Sequence, residues 1–170
     1  MSYTKRRGSS RGSTVLEFAL AGIPMIFTFI GIVSMGLTMW TYQSLAYASK
    51  EVNRYIAVHG THCSSGTNSC NLTVGNVASA AENYAIGLSP STLNMTLTSP
   101  STSYTCNPIS SCTSNANAWP PAADSTVGTI IQVRLTYQYN SALAMVWPGA
   151  KPTTFGTYDL GAYSKQRVLF

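Results

Sequence analysis

The sequence predicts an α+β protein in which a long N-terminal transmembrane helix continues into a small head with an antiparallel sheet. Three observations carry this. Residues 18–40 form a run of 23 residues without a charged side chain. At about 1.5 Å per residue such a run reaches about 34 Å as a helix, enough to cross a bilayer. Residues 45–56 then repeat apolar side chains at helical spacing. Two later stretches, 92–98 and 128–140, alternate apolar and polar residues with period two, the pattern of half-buried strands.

Ahead of the apolar run stand Lys5, Arg6, Arg7 and Arg11 with no acid among them, and few charges follow it. A basic leading flank predicts a cytoplasmic N-terminus with the rest of the chain outside, and Trp40 and Tyr42 fall where interfacial aromatics are favoured. One helix is expected over 13–59, with Ser13 or Thr14 suited to its start and Gly60 to its end. Pro24 lacks a backbone donor, so a kink or local opening is expected there, of a kind that membrane helices tolerate. Gly22, Gly31 and Gly36 thin the helix for close packing without forming the five-residue glycine pair of the known dimer motif. Past the span, Leu45, Ala48, Val52, Tyr55 and Ile56 share one face, and Gln43, Lys50 and Arg54 the other. The apolar face is expected to hold the head. Glu51 and Arg54, three apart, belong to the solvated face, where an ion pair adds only a few tenths of a kcal/mol.

Residues 60–170 make up the predicted head, about 110 residues and enough for one modest core. A turn-rich stretch leads to a short strand near 72–75. A helix is expected over 76–88, capped by Asn76, with Val77, Ala80, Ala81 and Tyr84 inward and Ser89-Pro90 at its end. After the strand at 92–98, residues 99–125 are rich in Ser, Thr, Asn and Pro. Residues 128–140 give the clearest strand, Ile131, Val133, Leu135, Tyr137 and Tyr139 alternating with Gln132, Arg134, Thr136 and Gln138, expected to run centrally. Residues 141–152 form a loop around Trp147-Pro148-Gly149. Residues 153–170 supply a last strand that carries Tyr163, Lys165 and Arg167 at its end.

Only 9% of residues are charged, against roughly 25% in ordinary soluble domains. The formal charge of +5 points first to nucleic acid, yet four of the ten basic residues lie in residues 1–12, and without them six cations face five acids. A nearly neutral remainder excludes nucleic acid as a partner. Four cysteines on the exported side suit an oxidising compartment. Sequence permits three pairings. Cys63 with Cys70 and Cys106 with Cys112 each close a short polar loop at low entropic cost, and a cross-pairing between the loops stays open. His59, His62, Cys63 and Cys70 lack the spacing of a zinc signature, so no metal and no cofactor are expected. Nor is an enzyme. The head's acids are Glu82, Asp124 and Asp159 and its histidines crowd at one end, so no acid/base pair or nucleophile stands out.

Glu17 is the exception in a run otherwise apolar or small from Val15 to Trp40. A charge in hydrocarbon costs a few kcal/mol or more, so an acid there needs a partner. The nearest candidate is a new α-amino group, created if the chain is cut after Gly12 to leave Ser13 first and Glu17 fifth. Gly12-Ser13-Thr14-Val15-Leu16-Glu17-Phe18 resembles the processing site of type IV prepilins. Val15-Leu16-Glu17-Phe18-Ala19-Leu20, Pro24, Tyr42-Gln43-Ser44-Leu45 and Ala48-Ser49-Lys50-Glu51-Val52-Asn53-Arg54-Tyr55 resemble the TadE-like minor pilins, or pseudopilins, of tight-adherence pili. The resemblance covers roughly residues 5–59, with a weaker echo in the strand-like segment 128–139.

The resemblance implies that residues 1–12 are a leader removed by a prepilin peptidase at Gly12 and Ser13. A glycine before the cut lets the scissile peptide enter a tight site. It further implies that Glu17 meets the amino group of Ser13 in an adjoining subunit and sets the axial register of a filament built for surface adhesion. The implied partners are the peptidase, other pilin subunits, the inner-membrane assembly platform and the lipid bilayer. The implied location is the bacterial inner membrane, single-pass, with the head periplasmic or extracellular. A head of about 110 residues points to a minor or priming component. Three alternatives compete. A secretory signal cut near Ala46-Tyr47-Ala48 is at odds with an apolar run far longer than the usual h-region of about 7–15 residues. Twin-arginine export lacks apolar residues after Arg6-Arg7. A non-polymerising, single-span membrane-anchored binding module leaves Glu17 unexplained.

Overall fold

The computed structural model describes residues 11–59, 72–141 and 157–169. Its first element, α1 (Arg11–His59), is one unbroken helix of 49 residues that runs through Pro24. Ser13 and Thr14 therefore lie inside it rather than at its start, a correction to the expected cap. Gly60 and the loop around Trp147 lie outside the described residues.

The predicted sidedness of α1 holds beyond the span. Leu45, Ala48, Val52 and Ile56 are completely buried, whereas Gln43, Lys50 and Arg54 are exposed. Leu45, Val52 and Ile56 each contribute about 1.5–3 kcal/mol when fully buried. Their counterpart is a four-stranded sheet formed by β1 (Leu93–Thr98), β2 (Ser103–Cys106), β3 (Ile130–Asn140) and β4 (Thr157–Arg167). The strands pair antiparallel in the order β2-β1-β3-β4, which makes β3 an interior strand as expected. Register aligns Met95 with Leu135 and Leu135 with Ala162, and likewise Leu97 with Val133 and Val133 with Ser164. These rows form the inner face on which α1 packs. Asn94, Thr96, Gln132, Arg134, Thr136 and Lys165 fall on the opposite face by the strand alternation.

The second helix, α2 (Val74–Tyr84), lies alongside α1 in the same core and buries Val77, Ala78 and Ala81. It starts two residues before the expected cap and replaces the strand expected at 72–75. The cause is a neighbour distant in sequence. The Thr73 hydroxyl accepts the N–H of Asn76, and the carbonyls of Asn117 and Asn115 accept those of Val74 and Gly75 at 2.8 and 2.9 Å. These bonds satisfy the orphan donors of the first turn. Gly75 is needed there because a Cβ would stand 2.5 Å from the carbonyl oxygen of Thr113. Only Thr73 keeps strand-like character, in an isolated bridge to Ala118. At its other end α2 stops before the expected Leu88, and Gly87 turns the chain at φ +79°. Gly128, at φ +89°, likewise delays β3 to Ile130.

Within residues 99–125 the structure holds β2, absent from the sequence expectation, and two short 3-10 turns, Ile109–Cys112 and Ala122–Asp124. Cys106 and Cys112 are joined by a disulfide, as expected, which rules out cross-pairing between the two cysteine loops. Cys63 and Cys70 lie outside the described residues. The stapled segment carries Trp119 into the core, completely buried and edge-on to Tyr104 with ring centroids 5.7 Å apart. Its indole N–H finds no acceptor.

Asp124 is also buried. Burial acts to raise its pKa, but hydrogen bonds from the hydroxyls of Ser101 and Ser99 and from the N–H of Ser101 outweigh this and hold it below its ordinary value of 3.8. A carboxylate with a depressed folded-state pKa adds stability above its unfolded value and loses it as the pH falls through the folded value. Urea titrations at descending pH should therefore show the head weakening below about pH 4, with this component missing in Asp124→Asn. Trp119→Ala should cost about 3–5 kcal/mol in the same measurement, as the loss of a fully buried indole leaves a cavity.

Candidate functional site

The first part of α1 is bare. From Thr14 to Val33 no side chain is buried, and Leu16, Phe18, Leu20, Met25 and Phe29 are at least two-thirds exposed. These 20 residues would span about 30 Å, the hydrocarbon thickness of a bilayer. Among the described residues α1 is the one helix long and apolar enough to cross a membrane. Three of its threonine hydroxyls turn inward on the helix backbone, which removes polar groups from the apolar surroundings, while the buried Ser34 hydroxyl has no partner among the described residues. Thr28 donates to the carbonyl of Pro24 at 2.8 Å, Thr38 to that of Ser34 at 2.8 Å and Thr41 to that of Leu37 at 2.9 Å.

Glu17 sits at the head of this bare stretch, exposed and one helical turn beyond Ser13. The next lysine or arginine along the chain is Lys50, about 50 Å further up the helix. The Gly12–Ser13 bond lies in the opening turns of α1 as described. Gly12, Ser13 and Glu17 are thus brought to one end of one rod, far from the head.

Ser34 is the first buried residue of α1. There the head reaches down the helix. Gly31, Met35 and Thr38 of α1 and Tyr158 and Leu160 at the start of β4 line an open, apolar groove. From this point β4 climbs alongside α1. Ser164 accepts a hydrogen bond at 3.2 Å from the amide nitrogen of Asn53, a residue completely buried between helix and sheet whose carbonyl oxygen has no partner. Sequence reasoning missed Asn53 and Ser34, because a polar residue on a helix gives no sign of what will cover it.

Of the residues weighed for chemistry, His59 stacks on Tyr55 at 4.4 Å and its Nδ1 bonds the carbonyl of Tyr55 at 3.1 Å. His62, Cys63 and Cys70 lie outside the described residues. Among the described residues no group of three or more His, Cys, Asp or Glu side chains is placed to hold a metal. Glu82, Asp124 and Asp159 stay apart, on α2, in the buried Ser101 contact and on β4.

The coupling of α1 to β4 through Asn53 can be tested by substitution. Ser164→Ala strands a buried amide donor and should cost about 1–3 kcal/mol, whereas the joint change Asn53→Leu with Ser164→Ala should be close to neutral. Urea unfolding of the detergent-solubilised chain measures both. No curated protein and no solved structure matches the chain. Residues 12–54, running from the predicted scissile glycine to the turns of α1 that pack on the sheet, match the family model described as TadE-like protein, the family that the sequence resembles.

Proposed function

We propose that the chain is a prepilin-like subunit of a tight-adherence pilus, cut after Gly12 by a prepilin peptidase and acting in assembly or priming of the filament. The observation that carries this reading is the acid at the end of a bare apolar helix, within the segment that matches the TadE-like model. The family suggests a pilus-associated membrane protein, and its members serve a structural rather than an enzymatic role. The cut frees an α-amino group at Ser13. Glu17 then attracts the corresponding amino group of an adjoining subunit, so that two charges costly in lipid neutralise each other. The attraction is stronger in a low dielectric than in water, and desolvation cancels much of it. Its value therefore lies in axial register more than in affinity.

The exposed face of α1 from Thr14 to Val33 would pack against the helices of other subunits. The head stays on the far side of the membrane, and its size sets the subunit apart from a pilin that is little more than a helix.

Mass spectrometry of the protein purified from its native host should find Ser13 as the first residue. A chain that begins at Met1 or Ser2 would favour an uncut membrane-anchored binding module instead. Glu17→Ala should leave membrane insertion intact and abolish piliation and surface adhesion. Normal piliation in that variant would refute the register role.

A further inference from the structure

The outer face of the sheet carries a charge pattern that the proposed register role of Glu17 does not use. Arg134 on β3 stands opposite Tyr163 on β4, Gln132 opposite Lys165, and Ile130 opposite Arg167. Strand alternation places all six on the side away from α1. Half of the six cations that follow residue 12 are thus gathered at one end of one face. The nearest acid on that face is Asp159, opposite Gln138, four residues or about 13 Å down the strand from the row of Arg134 and Tyr163, and six or about 20 Å from Lys165. None of the three cations has an acid directly opposite it, so the sheet gains no cross-strand ion pair from this grouping.

The patch is shaped as well as charged. Gln132, Arg134, Gly161, Tyr163 and Lys165 line a shallow cavity. The Arg134 guanidinium lies over Gly161, a terminal nitrogen standing 4.0 Å from where a Cβ would be. Tyr163 is 68% exposed, a large ring opposite Arg134 and two residues from Lys165. A guanidinium, an ammonium, an amide and an open aromatic face match a sugar ring that bears a carboxylate. The ring stacks on tyrosine and the carboxylate meets the planar fork of arginine.

We propose that this face binds an acidic polysaccharide. An anionic membrane surface is the rival source of negative charge, and position disfavours it. β4 climbs along α1 from the groove beside Met35 to Ser164 beside Asn53. Asn53 lies 13 residues past Trp40, about 20 Å along the helix. The cluster at Arg134, Lys165 and Arg167 is therefore more than twice the screening length of about 8 Å from the predicted interface. The site belongs wholly to the head, so it stands whether or not the leader is cut.

The test uses the full chain held in neutral phosphatidylcholine nanodiscs, with polygalacturonate as probe and dextran and polyphosphate as comparators. Polygalacturonate should bind and dextran should not. The double variant Arg134→Gln with Lys165→Gln should weaken binding by about tenfold or more, while Arg54→Gln, away from the patch, should leave it unchanged. Tyr163→Ala should weaken binding of polygalacturonate but not of polyphosphate. Thermal unfolding of each variant shows that the head remains folded. Equal binding of dextran, an equal loss in Arg54→Gln, indifference of polygalacturonate to Tyr163→Ala, or displacement of the probe by phosphatidylglycerol vesicles would each overturn the proposal.

Discussion

The head exists because one apolar strip of α1, from Leu45 to Ile56, is covered by the inner face of the sheet. A sheet of four strands with one apolar face cannot remain single-layered in water. Here the covering layer is supplied by α1 itself, with α2 beside it. The same helix thus meets two surroundings in succession, bare for 20 residues and then packed, and the change occurs without a break in its hydrogen bonding. Leu93, Met95, Leu97, Ile131, Val133 and Leu135, all completely buried, complete the core from the strand side.

Much of this was legible in the chain because the deciding signals are local. The period-two stretch at 92–98 lies within one residue of β1, and of the residues predicted to face inward on the distal part of α1, Leu45, Ala48, Val52 and Ile56 are buried and Tyr55 is half-buried. What was not legible depends on contacts made at a distance. The start of α2 is set by carbonyls of Asn115 and Asn117, some forty residues away. Asn76, which has the chemistry of a cap, loses that role to Thr73 for this reason. β2 is only four residues long and buries a single side chain, Cys106, so no alternation marks it out from the polar segment around it.

The candidate site divides in the same way. Glu17 was conspicuous because a single charge in a long apolar run violates the composition of its surroundings, and that contrast needs no fold to be seen. The basic face was invisible for the opposite reason. Arg134 stands some thirty residues before Lys165 and Arg167 and joins them only through the register of β3 with β4. A shift of one residue would send Tyr163 and Lys165 to the core side. The Asn53 contact to Ser164 and the descent of Leu160 toward Met35 both lie along that same seam between α1 and β4.

α1 contains no non-helical residue between Arg11 and His59. A helix transmits torsion, with one residue corresponding to about 100° of azimuth, so the head has no swivel of its own. Whatever orients the anchor about its axis also fixes the compass bearing of the entire sheet. In the proposed filament, subunits held alike at their lower ends would present corresponding surfaces along a common spiral, and a rotation at the base would turn every one of them outward or inward together.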